Sequence, residues 1–596
     1  MALRIEDYAM VGDLHTAALI GRDGCIDWLC LPRFDSASTF GSLLGTEDHG
    51  HWRLAPQGTV LETSRAYIED TFVLVTRWVT DDGEVEVVDF MPIGDRRADL
   101  VRRIRGIRGS VVMAQELRVR FDYANAIPWM RQIPDEHGPA LVAVAGPDAV
   151  VVRGAEFTAR DHSHRSELTV NEGDVVDMTL TWFPAHRDIP KPLDVQRRLR
   201  YTKKWWRDWA SMSTASPVYR EQVHRSLLVL RALTHEDTGG IVAAATTSLP
   251  EQFGGERNWD YRYVWLRDAS LTLGVLMEHG YAAEADAWRR WLLRAVAGDP
   301  ADIQIMYGLS GERRLTEREI DSLPGYHGAA PVRVGNDAWR QYQGDIFGEV
   351  MFALRGARDR GIKETESSWP LQRALMSFVE KNWRKPDNGL WEIRGQKRHF
   401  THSQVMIWTA FDCAINGVRE YGLDGPVELW ERMRDEVRDD IESRGFDVAK
   451  NSYTQFFGGS AVDASLLLLP QVGYIDSNDP RMLGTVAAIE AELMEGGLLK
   501  RYLTESGVDG LPSGEHPFLA CSFWLVEQYA RSGRLEDARQ LMDRLVAFTN
   551  DVGLLSEEYA VSVGRQAGNT PQAYSHLSLV RAADAIAAAM AREKSL

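Results

Sequence analysis

The chain changes its hydrophobic period once, near residue 190, and that change decides what kind of fold it can form. Before it, short β-branched and apolar runs alternate with polar turns. TFVLVTRWV (71–79) leads through Thr80-Asp81-Asp82-Gly83 into EVEVVDFM (84–91), the pattern of a hairpin around an Asp-Gly turn. Similar runs follow at 110–121, 140–146, 149–154 and 175–183. Many strands with no helical period between them predict an antiparallel β-sandwich rather than a parallel sheet.

From Pro217 onward nearly every segment has helical spacing; Leu227, Leu228, Leu230 and Leu233, for example, make one apolar face. The spacing predicts twelve helices, near 217–234, 266–279, 282–297, 339–361, 368–384, 402–421, 425–444, 461–471, 479–494, 516–532, 534–549 and 571–591. Twelve helices in alternating pairs predict a ring of six hairpins, an (α/α)6 barrel. Pro190 and Pro192 separate the two regimes, and the basic, aromatic run RRLRYTKKWWRDWASM (197–212) reads as a linker helix. The expected organisation is therefore a β-sandwich over 1–190, a helical linker over 191–216 and the barrel over 217–596. With 596 residues the chain is too long for one hydrophobic core in any case.

Composition narrows the function. There are 86 acidic against 68 basic side chains, a net charge of −18, which argues against a nucleic-acid or anionic-membrane partner. No apolar stretch of about 18 residues exists to span a membrane, and MALRIEDYAM lacks the basic and apolar regions of a secretory signal, so a cytoplasmic location is expected. Cys25, Cys30, Cys413 and Cys521 form no CxxC pair, which predicts neither a disulfide scaffold nor a structural zinc site. The sequence leaves the oligomeric state open.

The inter-helix segments 234–265, 297–338, 384–401, 445–460 and 549–570 are long, and loops of that length usually carry function. Glu392 lies in one of them, beside Leu390 and Trp391, where apolar neighbours raise a carboxyl towards the range of a general acid. Glu557 and Glu558 lie in another; with Ser556 they also fit a helix-capping pair. GGERNWDYRYVWLRDAS (254–270) combines Arg, Asp and Trp, a kit for hydroxyl-rich ligands and equally for a buried ion-pair network. His399 and His402 have no third ligand nearby in sequence, so no metal is expected. The absence of a Walker loop, a GxGxxG after a strand and a GxSxG elbow weakens nucleotide-binding and serine-hydrolase readings.

Taken together with further blocks, these residues resemble glycoside hydrolase family 15, the glucoamylase-like exo-acting α-glucosidases, in the bacterial branch that includes trehalases and isomaltose-cleaving enzymes. The blocks follow in the family's order: DYAMVGDLHTAALIGRDGCIDWLCLPRFDS (7–36), AATTSLPE (244–251), GERNWDYRYVWLRDAS (255–270), GLWEIRGQKRHFTHS (389–403), LLKRYL (498–503), GEHPFLACSFWLVE (514–527) and EEYAVSVGRQAGNTPQAYSHLSLVRAA (557–583). The resemblance covers the full length and implies a β-sandwich followed by an (α/α)6 barrel. It also implies inverting hydrolysis of a terminal α-glucosidic bond, without a cofactor.

By the resemblance, Glu392 matches the general acid and Glu557 the general base. Arg267 and Asp268 match the pair that grips the non-reducing glucose. Arg501 and Trp259 look like further first-subsite groups, and Trp391 stands beside the acid. Tyr342, Gln343 and Glu515 are assigned to the substrate site from their place in the long loops. The sequence departs from the family pattern at Ile393, where fungal enzymes carry a second Glu, and at Ala560, Thr570 and Tyr574 near the base. The Ile393 departure implies a different recognition of the next sugar, and the three near the base favour isomaltose as substrate. Trehalase and glucan 1,4-α-glucosidase are the alternatives, with a sugar phosphorylase, which would lack the carboxylate base, more distant.

Overall fold

The structure, a computed structural model, describes residues 2–136, 138–214 and 218–595. The expected junction between linker and barrel, at 216 and 217, lies outside the described residues.

The strand region forms an antiparallel assembly of fifteen strands organised by one long strand, Ala98–Arg118. Its first half pairs with Gly83–Phe90 and Val175–Pro184, and its second half with His51–Pro56 and Ser163–Asn171, so it belongs to two sheets at once. Apolar residues of both sheets, among them Trp28, Trp52, Trp78, Leu100 and Ile104, share one buried core, as the layered antiparallel architecture requires. The predicted hairpin is present: Leu74–Thr80 pairs with Gly83–Phe90, and the turn is closed by the Gly83 amide donating to the Thr80 hydroxyl.

Twelve α-helices follow among the described residues: α1 (Val195–Ala210), α2 (Arg220–Ala232), α3 (Leu266–Glu278), α4 (Ala282–Ala295), α5 (Asp345–Asp359), α6 (Ser368–Asn382), α7 (Thr401–Tyr421), α8 (Val427–Arg444), α9 (Pro480–Leu493), α10 (Leu519–Arg531), α11 (Leu535–Val546) and α12 (Ala573–Ser595). α1 is the linker helix, and its tryptophans tie the halves together. Trp206 packs on Phe72 of the strand region, and Trp209 stacks on Tyr281, with 3.9 Å between ring centroids.

An inner ring runs α3, α5, α7, a short 3-10 helix (Ala464–Leu468), α10, α12 and back to α3, each packed on the next. α2, α4, α6, α8, α9 and α11 alternate with them in sequence and form the outer layer. The inner helices are apolar nearly all round, as buried helices must be; α7 is buried from Thr401 to Ala410 without a break. One expectation is corrected here. Segment 461–471 is no full helix: Asp463 caps its start, and Pro470, which has no amide to donate, stops it after little more than a turn. No described helix is long and apolar enough to cross a membrane.

Candidate active site

A cavity of about 730 Å³ opens at the end of the ring where the inner helices begin. Its walls come from the segments that lead into those helices: 243–268 before α3, Asn336 before α5, 390–394 before α7, 501–518 before α10, and 557–574 into α12. Four of the five expected loops contribute. Segment 445–460 supplies no lining residue, and 501–518, which was not singled out as a long loop, takes its place. Among the described residues, none of the strand region lines the cavity.

Glu392 and Glu557 both face this space. Glu392 sits in a left-handed backbone conformation (φ +59°), a strained geometry for a residue with a side chain, which aims it off the loop. The Trp265 indole N–H donates to its Oε1 at 2.5 Å, and the Gln341 amide donates to its main-chain oxygen at 3.0 Å. Burial raises its pKa, against the pull of Arg267 and of the Trp265 donor. Glu557 accepts from the Tyr261 hydroxyl at 2.6 Å. Tyr261 and Trp265 lie four residues apart with their rings in contact, so one segment serves both carboxyl groups. Gly568 closes behind Glu557: its φ is +75°, and a Cβ there would stand 2.6 Å from Glu557 Oε2.

At the deep end the Arg267 guanidinium donates to Asp268 at 2.6 Å and to the Leu390 carbonyl at 2.8 Å, and lies over the Tyr574 ring. Asp268 is in the first turn of α3, where the helix dipole favours a negative charge. Trp391 donates to Asp463 and stacks on Trp524. This arrangement offers a rigid, directional set of donors and acceptors together with flat apolar faces, which suits a single sugar ring.

Beside Glu557 lies a buried charge cluster. Arg501 binds Glu251 at 2.9 Å and Glu515 at 2.5 Å and lies 3.8 Å from Glu558; Arg257 binds Asp509 at 2.5 Å and lies 3.7 Å from Glu515. One oxygen each of Glu251, Glu515 and Glu558 falls within 4.8 Å of the others. Carboxylates outnumber guanidinium groups here, so the cluster holds protons. Burial and the Glu251 charge push Glu557 up, whereas Arg501 and the Tyr261 hydroxyl pull it down. Glu558 is pushed up too, by burial and then by Glu515 and Glu251. Of the two, Glu557 has a hydroxyl donor and faces the cavity, which favours a charge there over Glu558.

Of the residues expected from sequence, Glu392, Glu557, Arg267, Asp268, Trp259, Trp391 and Arg501 come together on the wall. Tyr342, Gln343 and Glu515 do not line it. Gln343 donates to Gln341, the residue that touches the Glu392 loop, and the Tyr342 ring packs on Phe378. Glu515 acts through Arg501. Of the three departures near the base, Thr570 and Ala560 are buried off the wall, and Tyr574 packs against Arg267 at the deep end. His399 stacks on Phe457, while His402 is buried and pushed down to about 3. Sequence reasoning missed Tyr261, Trp265, Gln341, Glu251 and Arg394; the i, i+4 aromatic pair 261/265 was the one visible signal.

The strand region supports the wall from behind. Trp28 donates to the Ala245 carbonyl at 3.0 Å. Arg262, fully buried in an ion pair with Asp260, also bonds the Ser36 carbonyl and the Tyr123 hydroxyl, each at 2.8 Å.

A family model described as "Glycosyl hydrolases family 15" matches residues 217–584, and one described as "Trehalase-like, N-terminal" matches 1–181. A protein named trehalase from Mycobacterium tuberculosis is 34 % identical over 97 % of this chain and 89 % of its own. Another so named, from Thermoplasma volcanium, is 33 % identical over 99 % and 95 %. A protein named isomaltose glucohydrolase from Kribbella flavida is 22 % identical over 46 % of this chain and 67 % of its own. A bacterial glucoamylase solved with acarbose matches 99 % of this chain and 94 % of its own with a TM-score of 0.73 at 12 % identity, a likeness of fold. Two model matches that together span both structural regions, and relatives alike over nearly the whole chain, identify it as a glycoside hydrolase belonging to glycosyl hydrolase family 15.

Proposed function

We propose that this chain hydrolyses α,α-trehalose with inversion, using Glu392 as general acid and Glu557 as general base. The observation that carries the substrate is the full-length similarity to proteins named trehalase, which extends through the N-terminal region, whereas similarity to the isomaltose-cleaving relative covers under half of the chain. The isomaltose expectation rested on Thr570, Tyr574 and Ala560; Thr570 and Ala560 lie off the cavity wall, and Tyr574 lines it packed against Arg267, on the side assigned to the first glucose.

The chemistry follows from the two environments. Glu392, protonated in its apolar setting, gives its proton to the glycosidic oxygen as the C1–O bond breaks. Glu557, ionised, takes a proton from the water that attacks C1 from the opposite face. Such a pair works when about 6.5–9.5 Å separates the carboxyl groups, leaving room for that water. Arg267 and Asp268 hold the first glucose in the closed end, which makes the reaction exo-acting.

The test is kcat/KM on trehalose, isomaltose, maltose, kojibiose and nigerose. Trehalose is expected to be the best substrate. A higher value for isomaltose or maltose would overturn the assignment.

A further inference from the structure

With the first glucose at the deep end and the scissile bond at Glu392, the second sugar must lie towards solvent. The wall residues there are Trp259, Arg394 and Leu511, and of these Arg394 is the most exposed. Arg394 is two residues beyond the acid, on the loop where Ile393, buried away from the wall, replaces the family's second Glu.

Arg394 is held on three sides. Its guanidinium lies 4.2 Å from the centre of the Trp259 ring. Two of its nitrogens reach Glu317, at 2.8 and 3.4 Å, a paired geometry that fixes the plane of the group. Its main-chain amide donates to the Asp509 carbonyl at 3.1 Å. Arg333 holds Trp259 in turn, at 4.5 Å from the ring centre, and bonds the Glu256 and Asn258 carbonyls. A guanidinium carries five N–H donors, so those not spent on Glu317 remain for hydroxyl oxygens.

We propose that Arg394, stacked on Trp259 and oriented by Glu317, binds the leaving glucose and sets the preference for a sugar leaving group. The proposal rests on the reading of the chain as a trehalose hydrolase for the identity of that sugar.

The experiment compares two substrates that share a glucosyl group and differ in leaving group, trehalose and α-glucosyl fluoride. Arg394→Ala should lower kcat/KM on trehalose about 10- to 100-fold, the cost of a hydrogen bond to a charged donor, and leave α-glucosyl fluoride within about 3-fold. Arg394→Lys should recover part of the loss, and Glu317→Gln should give a smaller loss of the same selectivity. Equal losses on both substrates would overturn the proposal, because the residue would then act on the first glucose, on the base or on folding. A trehalose-selective loss accompanied by a shifted basic limb of the kcat/KM profile would overturn it too, because fluoride leaves with little help from the acid and Arg394 would then be acting through Glu392. An unchanged rate on trehalose would overturn it too. A wild-type enzyme that ignores trehalose but cleaves another disaccharide would overturn the trehalase reading by itself; the same comparison with that disaccharide then decides the role of Arg394.

Discussion

Glu557, the proposed base, shows how closely a buried carboxyl is specified by its neighbours. On one side the Tyr261 hydroxyl donates to it; on the other, Gly568 leaves it room that no other residue would. Gly568→Ala would have to move Glu557 or strain a positive-φ backbone. A displacement approaching an ångström can cost on the order of 10²-fold in rate, so kcat is expected to fall by at least about 10-fold. A variant with full activity would show that the contact is not rigid. Glu392→Gln and Glu557→Gln should each lose at least about 10²-fold while circular dichroism stays unchanged. Glu251 tunes the base through space, since its charge is the main electrostatic contribution raising Glu557. Glu251→Gln removes that charge while keeping an acceptor for Arg501. Glu557 should then ionise at lower pH, and the acid limb of the kcat/KM profile should move down. A limb that stays or moves up would contradict the assignment of that limb to Glu557.

At the scale of elements, what was legible in the sequence had a short-range cause. The 71–91 hairpin and the helix spacing follow from local pattern. That Glu392 and Glu557 stand in segments lining one cavity was legible because each sits in a dense motif with Trp or Glu beside it. What was not legible depends on long-range neighbours. Tyr342 and Gln343 lie beside the useful residue, Gln341, and only the folded loop shows which of the three meets Glu392. Segment 461–471 looked helical by its leucines, yet Pro470 and the Asp463 cap leave it a 3-10 turn. The support of the wall by the strand region was likewise invisible. Arg262→Ala would leave Asp260 charged and unpaired in the interior, at a cost of about 3–5 kcal/mol, and would loosen the segment that carries Trp259, Tyr261 and Trp265. Denaturant unfolding should show that loss together with a lower kcat/KM. A change under about 1 kcal/mol would mean that the pair contributes little.

The whole molecule stores several buried carboxyl groups in their neutral form, and this gives it a pH signature. Burial and the adjacent Asp345 push Asp387 up to about 7, and burial with the neighbouring Glu515 and Glu251 raises Glu558 as well. Each keeps its proton in the folded chain at a pH where the unfolded chain, with carboxyl values of about 4, has lost it. Their contribution to stability is therefore complete below that value and is lost as pH rises through the folded values. Tm is expected to fall as pH rises from about 5 to about 7 and to fall less in Glu558→Gln, which cannot ionise. A Tm that rises across this window would contradict the placement of those protons.

The proposed mechanism makes one central claim, that trehalose is opened by water entering from the Glu557 side with inversion at the attacked carbon. The anomers of glucose seen by proton NMR in the first minutes of turnover test it directly. The attacked glucose should emerge as β, while the departing glucose keeps its own α C1–O bond, so the account predicts equal amounts of α- and β-glucose. Release of α-glucose alone would mean retention and would contradict it.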